Sequence, residues 1–254
     1  MSSTAYPPVS VAYPLSVRGF FDQPSRALWL VKWLLLIPHY IILVFLWIAF
    51  WIVTVIAFFA ILFTTRYPKG LFDFNVGVIR WSWRVSFYGY AALGTDRYPP
   101  FTLADVPDYP ARLDLEYPPQ LNRWLPLVKW LLAFPQYILV GALVGSGYVV
   151  ATSMQDGRPV TYSTPSLIGA CVLIAAIALL FTTRYPPGLF DFAVGIDRWG
   201  YRLLVYVALM TDHYPPFRLD QGGIDIEGPP QPSATSGAWH VEQPPGYGPE
   251  AEGR

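Results

Sequence analysis

Four arginines carry the most suggestive chemistry in this sequence. Arg80 and Arg84 follow Asp73 and Gly77 at helical spacing, and Arg198 and Arg202 follow Asp191 and Gly195 in the same way. At about 100° per residue, each set falls on one narrow stripe of a helix. Trp81 and Trp199 stand beside the stripes, with Phe74, Val78, Trp83, Val85 and Tyr88 on the flanks of the first. A guanidinium stripe on an aromatic helix offers two chemistries. It can grip anionic phospholipid headgroups or acidic groups on a partner protein, as basic pockets beside membrane helices do. Alternatively, Arg80 and Arg198 pair internally with Asp96 and Asp212, or with carbonyls of short strands, because a buried guanidinium needs such partners. Asp73 lies in the first helical turn, where a carboxylate suits the dipole. Arg66 and Arg184 close the Thr-Thr-Arg corners that precede each stripe, which are expected to end a helix at headgroup level.

Other chemistry is sparse. His39, His213 and His240 are scattered, and the single cysteine, Cys171, lies in an apolar run. No spacing suggests a metal site, and no phosphate loop, dinucleotide fingerprint or nucleophile elbow occurs. No cofactor and no catalytic residue is expected, and the reading is non-enzymatic. The formal net charge is zero, which gives no electrostatic case for nucleic acid. No acidic residue interrupts the apolar runs, as a proton relay or coupling-ion site would require.

The elements that position the arginines are apolar. Hydrophobic residues make up 54% of the 254 and charged residues 13%, about half the usual charged share. Three long apolar runs account for this, at residues 27–65, 124–152 and 166–183. A membrane span needs about 20 apolar residues, so an integral membrane protein of mainly α class is expected. Residues 1–25 carry no basic region followed by a short apolar core, so no cleaved signal is expected.

The chain is written twice. FTTRYPKGLFDFNVGVIRW, from Phe63, returns as FTTRYPPGLFDFAVGIDRW, from Phe181, with four differences in nineteen positions. Val-Lys-Trp-Leu-Leu recurs at Val31 and Val128, with Pro38 and Pro135 downstream, and both halves end in Thr-Asp-x-Tyr-Pro-Pro-Phe. The second half inserts TSMQDGRPVTYSTP within its apolar stretch, which reads as a turn between helices. By analogy the first half turns back near Trp47–Trp51. Each repeat is then a transmembrane helical hairpin, about 26–46 with 48–64 and about 123–151 with 165–183, followed by an interfacial amphipathic helix, about 70–93 in the first half. Lys32 and Lys129 would snorkel to the headgroups. Short alternating segments at 10–20, 101–104, 112–116 and 217–220 suggest a small cytoplasmic β-sheet. The expected organisation is a disordered tail (1–9), membrane repeat 1 (10–106), membrane repeat 2 (107–220) and a disordered Pro/Gly-rich tail (221–254). In the hairpin arrangement every Lys and Arg except Arg158 lies on one side. The rule that basic residues stay inside then places a multi-pass protein in the plasma membrane with both termini cytoplasmic.

The motifs TTRYPxGLFDF, VGxxRWxxR and TDxYPPF resemble an uncharacterised bacterial membrane-protein family of actinobacterial type, a duplicated domain of unknown function. The resemblance covers about residues 10–220 as two copies. It implies a membrane location and a duplicated unit, and it brings no activity or site residues. The expected function is a scaffold or accessory subunit of a cell-envelope complex. Its partners would be membrane lipids, including anionic phospholipids, and a membrane protein or a second copy of the chain. The alternative is a small transport or lipid-handling protein with a pathway between the two halves.

Overall fold

A computed structural model describes residues 13–22, 24–25, 27–144, 153–155, 158–160, 167–182 and 185–223. The N-terminal tail (1–9), Arg184, most of the inserted turn and the tail beyond 223 lie outside the described residues.

The chain begins with strand β1 (Leu15–Gly19), then helices α1 (Trp29–Thr64) and α2 (Lys69–Tyr88), and strand β2 (Ala111–Leu115). The second half has helices α3 (Leu125–Leu132) and α4 (Phe134–Val144), a short β3–β4 pair (Ser153–Gln155 with Arg158–Val160), and helices α5 (Leu167–Thr182) and α6 (Pro187–Val207). The molecule is mainly helical, as expected, with small two-stranded sheets.

The expected turn near Trp47–Trp51 does not form. α1 runs unbroken for 36 residues, because nothing between His39 and Thr64 is Gly or Pro and the inserted polar turn has no counterpart there. The first half doubles back later, at Thr65. That residue takes a left-handed conformation (φ 60°) and its N–H caps α1 on the Ile61 carbonyl at 2.8 Å. α1 also continues through Pro38, whereas Pro135 sits beside the break between α3 and α4. A proline removes one helical hydrogen bond, and only the second half yields at that point. α1 and α2 are antiparallel: Lys32 meets Tyr88 near the end of α2, and Thr54 meets Asn75 near its start.

The expected four-piece sheet is reduced to two strands. β1 and β2 pair antiparallel about Val17↔Leu113. Residues 101–104 and 217–220 are not strands. They lie against α2 and α6 instead, and their carbonyls are used there, as described below.

α2 and α6 are interior helices of the fold, so the aromatic faces expected to lie on a bilayer surface meet the protein's own core. Phe72, Val78, Trp83, Phe87, Phe190, Val194, Ile196 and Val205 join Leu15, Val17 and Leu113 in one apolar core. The outward faces belong to α1, α3, α4 and α5, with Trp33, Ile41, Phe45, Ile52, Phe63, Trp130, Ile138 and Ile174 all exposed. Among the described residues one helix, α1, is long and apolar enough to cross a membrane.

Candidate functional site

The two arginine stripes point inward. From α2, Arg80 donates through Nε to the Leu113 carbonyl (2.9 Å) and through Nη2 to Asp114 Oδ1 (3.2 Å), with Asp105 at 4.0 Å. Arg84, only 1% exposed, donates to the carbonyls of Ala104 (3.0 Å) and Thr102. Burial first, and then the charge of Arg80, push the Arg84 guanidinium down to about 10. From α6, Arg198 is fully buried and donates to the carbonyls of Val17 (3.0 Å), Asp220 and Gly222 (2.9 Å). Arg202 pairs with Asp220 Oδ2 at 2.5 Å. Burial works to raise the Asp220 carboxyl, but Arg202 and Arg218 outweigh it and hold it below the usual carboxylate range. These bonds dock residues 102–104 and 220–222 on the helices.

The stripe glycines make this docking possible. A Cβ on Gly77 would stand 2.8 Å from Leu103 Cβ, and one on Gly195 would stand 3.0 Å from the Asp220 carbonyl oxygen. Only a residue without a side chain lets these segments come so close to the helix.

Of the two expected internal partners, the strand carbonyls are used and the aspartates are not. Asp96 and Asp212 belong to a different motif. Lys32 and Lys129, expected to snorkel outward, are buried at 0% and 1% exposure. The Lys32 ammonium lies 3.0 Å from Asp96 Oδ1, donates to the Thr95 carbonyl (2.7 Å) and sits over the Tyr88 ring. Lys129 repeats this with Asp212 (2.8 Å), the Thr211 carbonyl (2.8 Å) and Tyr206. The second carboxylate oxygens accept from backbone amides, Ser25 for Asp96 and Asn122 for Asp212. This is a latch: a buried cation is satisfied by a carboxylate, a carbonyl and an aromatic face, and it ties one helix to the loop after another.

The tryptophans have internal roles as well. Trp81 Nε1 donates to His39 Nδ1 (3.1 Å), and Trp199 Nε1 donates to Gln136 Oε1 (2.7 Å). The signal for both pairs was in the sequence: each Pro is followed by a polar residue inside an apolar run, and the latch lysines recur in step with Thr-Asp. Asp73 is exposed and pairs with Lys69 at 3.1 Å. Asp191 is partly buried, and burial raises its carboxyl. Arg66 is exposed at the α1 corner. The structure therefore gathers Arg80, Arg84, Arg198, Arg202, Trp81 and Trp199 into the interior and leaves Asp73 and Arg66 outside. Among the described residues no three His, Cys, Asp or Glu side chains converge as metal ligands do.

The sheet crosses between the halves. β1 precedes α1 in sequence, yet its Val17 carbonyl accepts from Arg198 on α6, while the Leu113 carbonyl of β2 accepts from Arg80 on α2. Tyr109 donates to the Arg97 carbonyl (2.9 Å), and Tyr13 donates to the matching His213 carbonyl (3.3 Å). The two sets of bonds are related by a pseudo-twofold axis through the Val17↔Leu113 pair.

A family model described as "Domain of unknown function (DUF4389)" matches residues 26–102 and 160–218, just over half of the chain. No curated protein matches the chain, and no solved structure does. Both matched regions contain the inward-turned aromatic and arginine helix, and the chain belongs to the DUF4389 family.

Proposed function

We propose that this protein is a non-enzymatic scaffold or accessory subunit of a plasma-membrane envelope complex. The observation that supports this reading is the distribution of chemistry. The repeated polar groups are turned onto the chain's own carbonyls and carboxylates, while the outward faces of α1, α3, α4 and α5 are apolar. An apolar exterior of this extent calls for lipid or for another membrane protein as its neighbour. Contact with headgroups then falls to exposed groups such as Arg66, Lys69 and Trp124, and the four stripe arginines act as internal struts.

Lengths support one placement in the bilayer. The apolar outer face of α1 runs from Leu30 to Phe63, about 50 Å of helix against a hydrocarbon core of about 30 Å. The charged sheet residues Arg112 and Asp114 flank the middle of α2, near Arg80. A placement with α1 upright would bring them to mid-bilayer depth, at a cost of several kcal/mol. We therefore place α1 along one leaflet, with both termini and the sheet on the cytoplasmic side. A multi-pass arrangement is the second reading, favoured by the length and apolarity of α1.

Affinity capture of the full chain in mild detergent, followed by mass spectrometry, tests the function. A stoichiometric membrane-protein partner is expected, and its repeated absence removes the subunit reading. Single cysteines at positions 25 and 70 test the placement in cells carrying Cys171→Ala. An impermeant reagent applied outside intact cells should label neither, and labelling at one end alone would show that α1 crosses. The alternative function, lipid handling, draws on a 480 Å³ cavity between α1 and α2. It predicts a co-purifying lipid that Ser82→Trp displaces.

A further inference from the structure

The seam between α2 and α6 holds one group that the scaffold reading does not use. Asp197 stands on α6 where the first repeat has Ile79, within a stretch otherwise nearly identical in the two halves. It is buried, and its Oδ2 has no hydrogen-bond partner. Asp96 and Asp212 each meet a lysine and a backbone amide, and Asp220 meets two arginines; Oδ2 of Asp197 meets none of these. One turn on, Tyr201 feels its charge and lines, with Ser86 of α2, the cavity described above. The Tyr201 ring packs edge-on against Trp83 at 5.6 Å. Tyr201, Ser86 and Ser82 then line the 480 Å³ cavity, where Ser82 accepts from Trp47 Nε1 at 3.1 Å. Tyr40 and Val44, also in the lining, are exposed, so the cavity reaches the surface. A carboxyl thus sits one helical turn from a hydroxyl-lined cavity that leads outward.

We propose that Asp197 is a reversible proton-binding site, reached from the α1–α2 cavity through Tyr201 and Ser86. The ligand is the proton itself. The carboxylate takes it up to form a neutral carboxyl, and only the O–H bond is made or broken. An unpaired carboxylate in an apolar seam is costly and a neutral carboxyl far less so, so the site favours the bound form. Burial pushes the Asp197 carboxyl up to about 7, which places the exchange within the physiological range.

Among the described residues, the cations of the neighbouring elements are engaged elsewhere. On α6, Arg198 is spent on the carbonyls of Val17, Asp220 and Gly222, and Arg202 on Asp220. On α2, Arg80 faces β2 and Arg84 faces residues 102–104. On β1, Arg18 Nε donates to Ser16 and Tyr13 to the Arg202 and His213 carbonyls. α3 brings Lys129, held by Asp212; α4 brings Gln136, held by Trp199 and the Pro215 carbonyl; α5 brings the half-buried free thiol of Cys171. Tyr201 is the one titratable group whose electrostatic interaction with Asp197 is resolved among the described residues.

Difference infrared spectroscopy on the full chain in lipid nanodiscs tests this. A protonated-carboxyl C=O band should titrate with a midpoint near 7 and vanish in Asp197→Asn. If that variant does not fold, Asp197→Glu serves, because the band should persist at a shifted frequency. In Tyr201→Phe the band should remain, while its downshift on transfer to D2O becomes several-fold slower. A carboxyl band that fails to titrate between pH 5 and pH 9, or one unchanged in both Asp197 variants, overturns the site. An unchanged deuterium-exchange rate in Tyr201→Phe overturns the access route.

Discussion

Replacing Asp96 with Asn removes one charge from the first latch and keeps its shape. Asn still accepts from the Ser25 amide and still lies beside Lys32, but the buried ammonium loses its counter-ion. At the observed 3.0 Å, two unit charges attract by about 5 kcal/mol at an effective dielectric near 20. The Asp96 side chain is 27% exposed, so solvent screens part of this. The Thr95 carbonyl and the Tyr88 face remain. Stranding one partner of a buried pair costs about 3–5 kcal/mol, and the retained contacts bring the expected loss to about 2–4 kcal/mol. Lys32→Met is the informative control. It takes away the buried charge and leaves Asp96 with solvent and an amide donor, for a loss of about 1 kcal/mol.

Equilibrium unfolding in mixed micelles, followed by tryptophan fluorescence, measures both. The asymmetry is the signature: Asp96→Asn should be clearly worse than Lys32→Met. Equal losses, or a loss under about 1 kcal/mol for Asp96→Asn, would refute the claim that the buried cation depends on this carboxylate. The effect of pH has a fixed sign. Burial works to raise Asp96, but the Ser25 amide and Lys32 outweigh it and hold the group below its ordinary value. Its contribution is present above the unfolded carboxyl range and is lost as pH falls through the folded value. The gap between wild type and Asp96→Asn should close in acid.

Three further outcomes follow. Gly77→Ala gains helix propensity of about 1 kcal/mol, but its Cβ would stand 2.8 Å from Leu103 Cβ, and such overpacking costs about 1–3 kcal/mol; net destabilisation is expected, and a stabilised variant would show that residues 102–104 are not docked there. Arg198→Lys keeps the charge and loses the fork that reaches three carbonyls, so thermal unfolding should show a loss of about 2–3 kcal/mol, and a neutral effect would contradict a structural role. Because the strands are exchanged between halves, fragments 1–106 and 107–254 should each resist folding alone but recover a protease-resistant complex when co-expressed; independent folding of either would speak against the exchange.

Local patterns in the sequence carried a good deal of this. The helices around Arg80 and Arg198 follow from periodicity, and α2 and α6 begin within about one residue of a Gly or Pro signal at the Tyr-Pro corner. The duplication is plain in the repeated words. The strand carbonyls expected as one set of partners for Arg80 and Arg198 are used, whereas the roles of Asp96, Asp212 and the helix faces differ from expectation for a physical reason. Helix periodicity shows which residues share a face but not what the face meets, so an aromatic and basic stripe reads the same at a membrane surface as in a core. Lys32 near the start of an apolar run reads as a snorkelling residue, and only tertiary contact with Asp96 shows it to be buried. The continuity of α1 was lost by transferring to the first half a turn that belongs to an insertion in the second.

The exchanged strands explain why the duplicated sentence had to stay so constant. A helix that met only its own repeat could drift along with its own neighbours. Here Arg80 must fit β2, which follows it, and Arg198 must fit β1, which opens the chain 181 residues earlier. Each strand therefore serves the half it does not introduce, and Val17 and Leu113 pair on the axis between them. A change in either helix disturbs a contact in the other half of the molecule. Where the symmetry gives way, at Ile79 against Asp197 and at the insertion that separates α4 from α5, the second half has been released from that constraint, and those are the places where a function distinct from holding the fold together can reside.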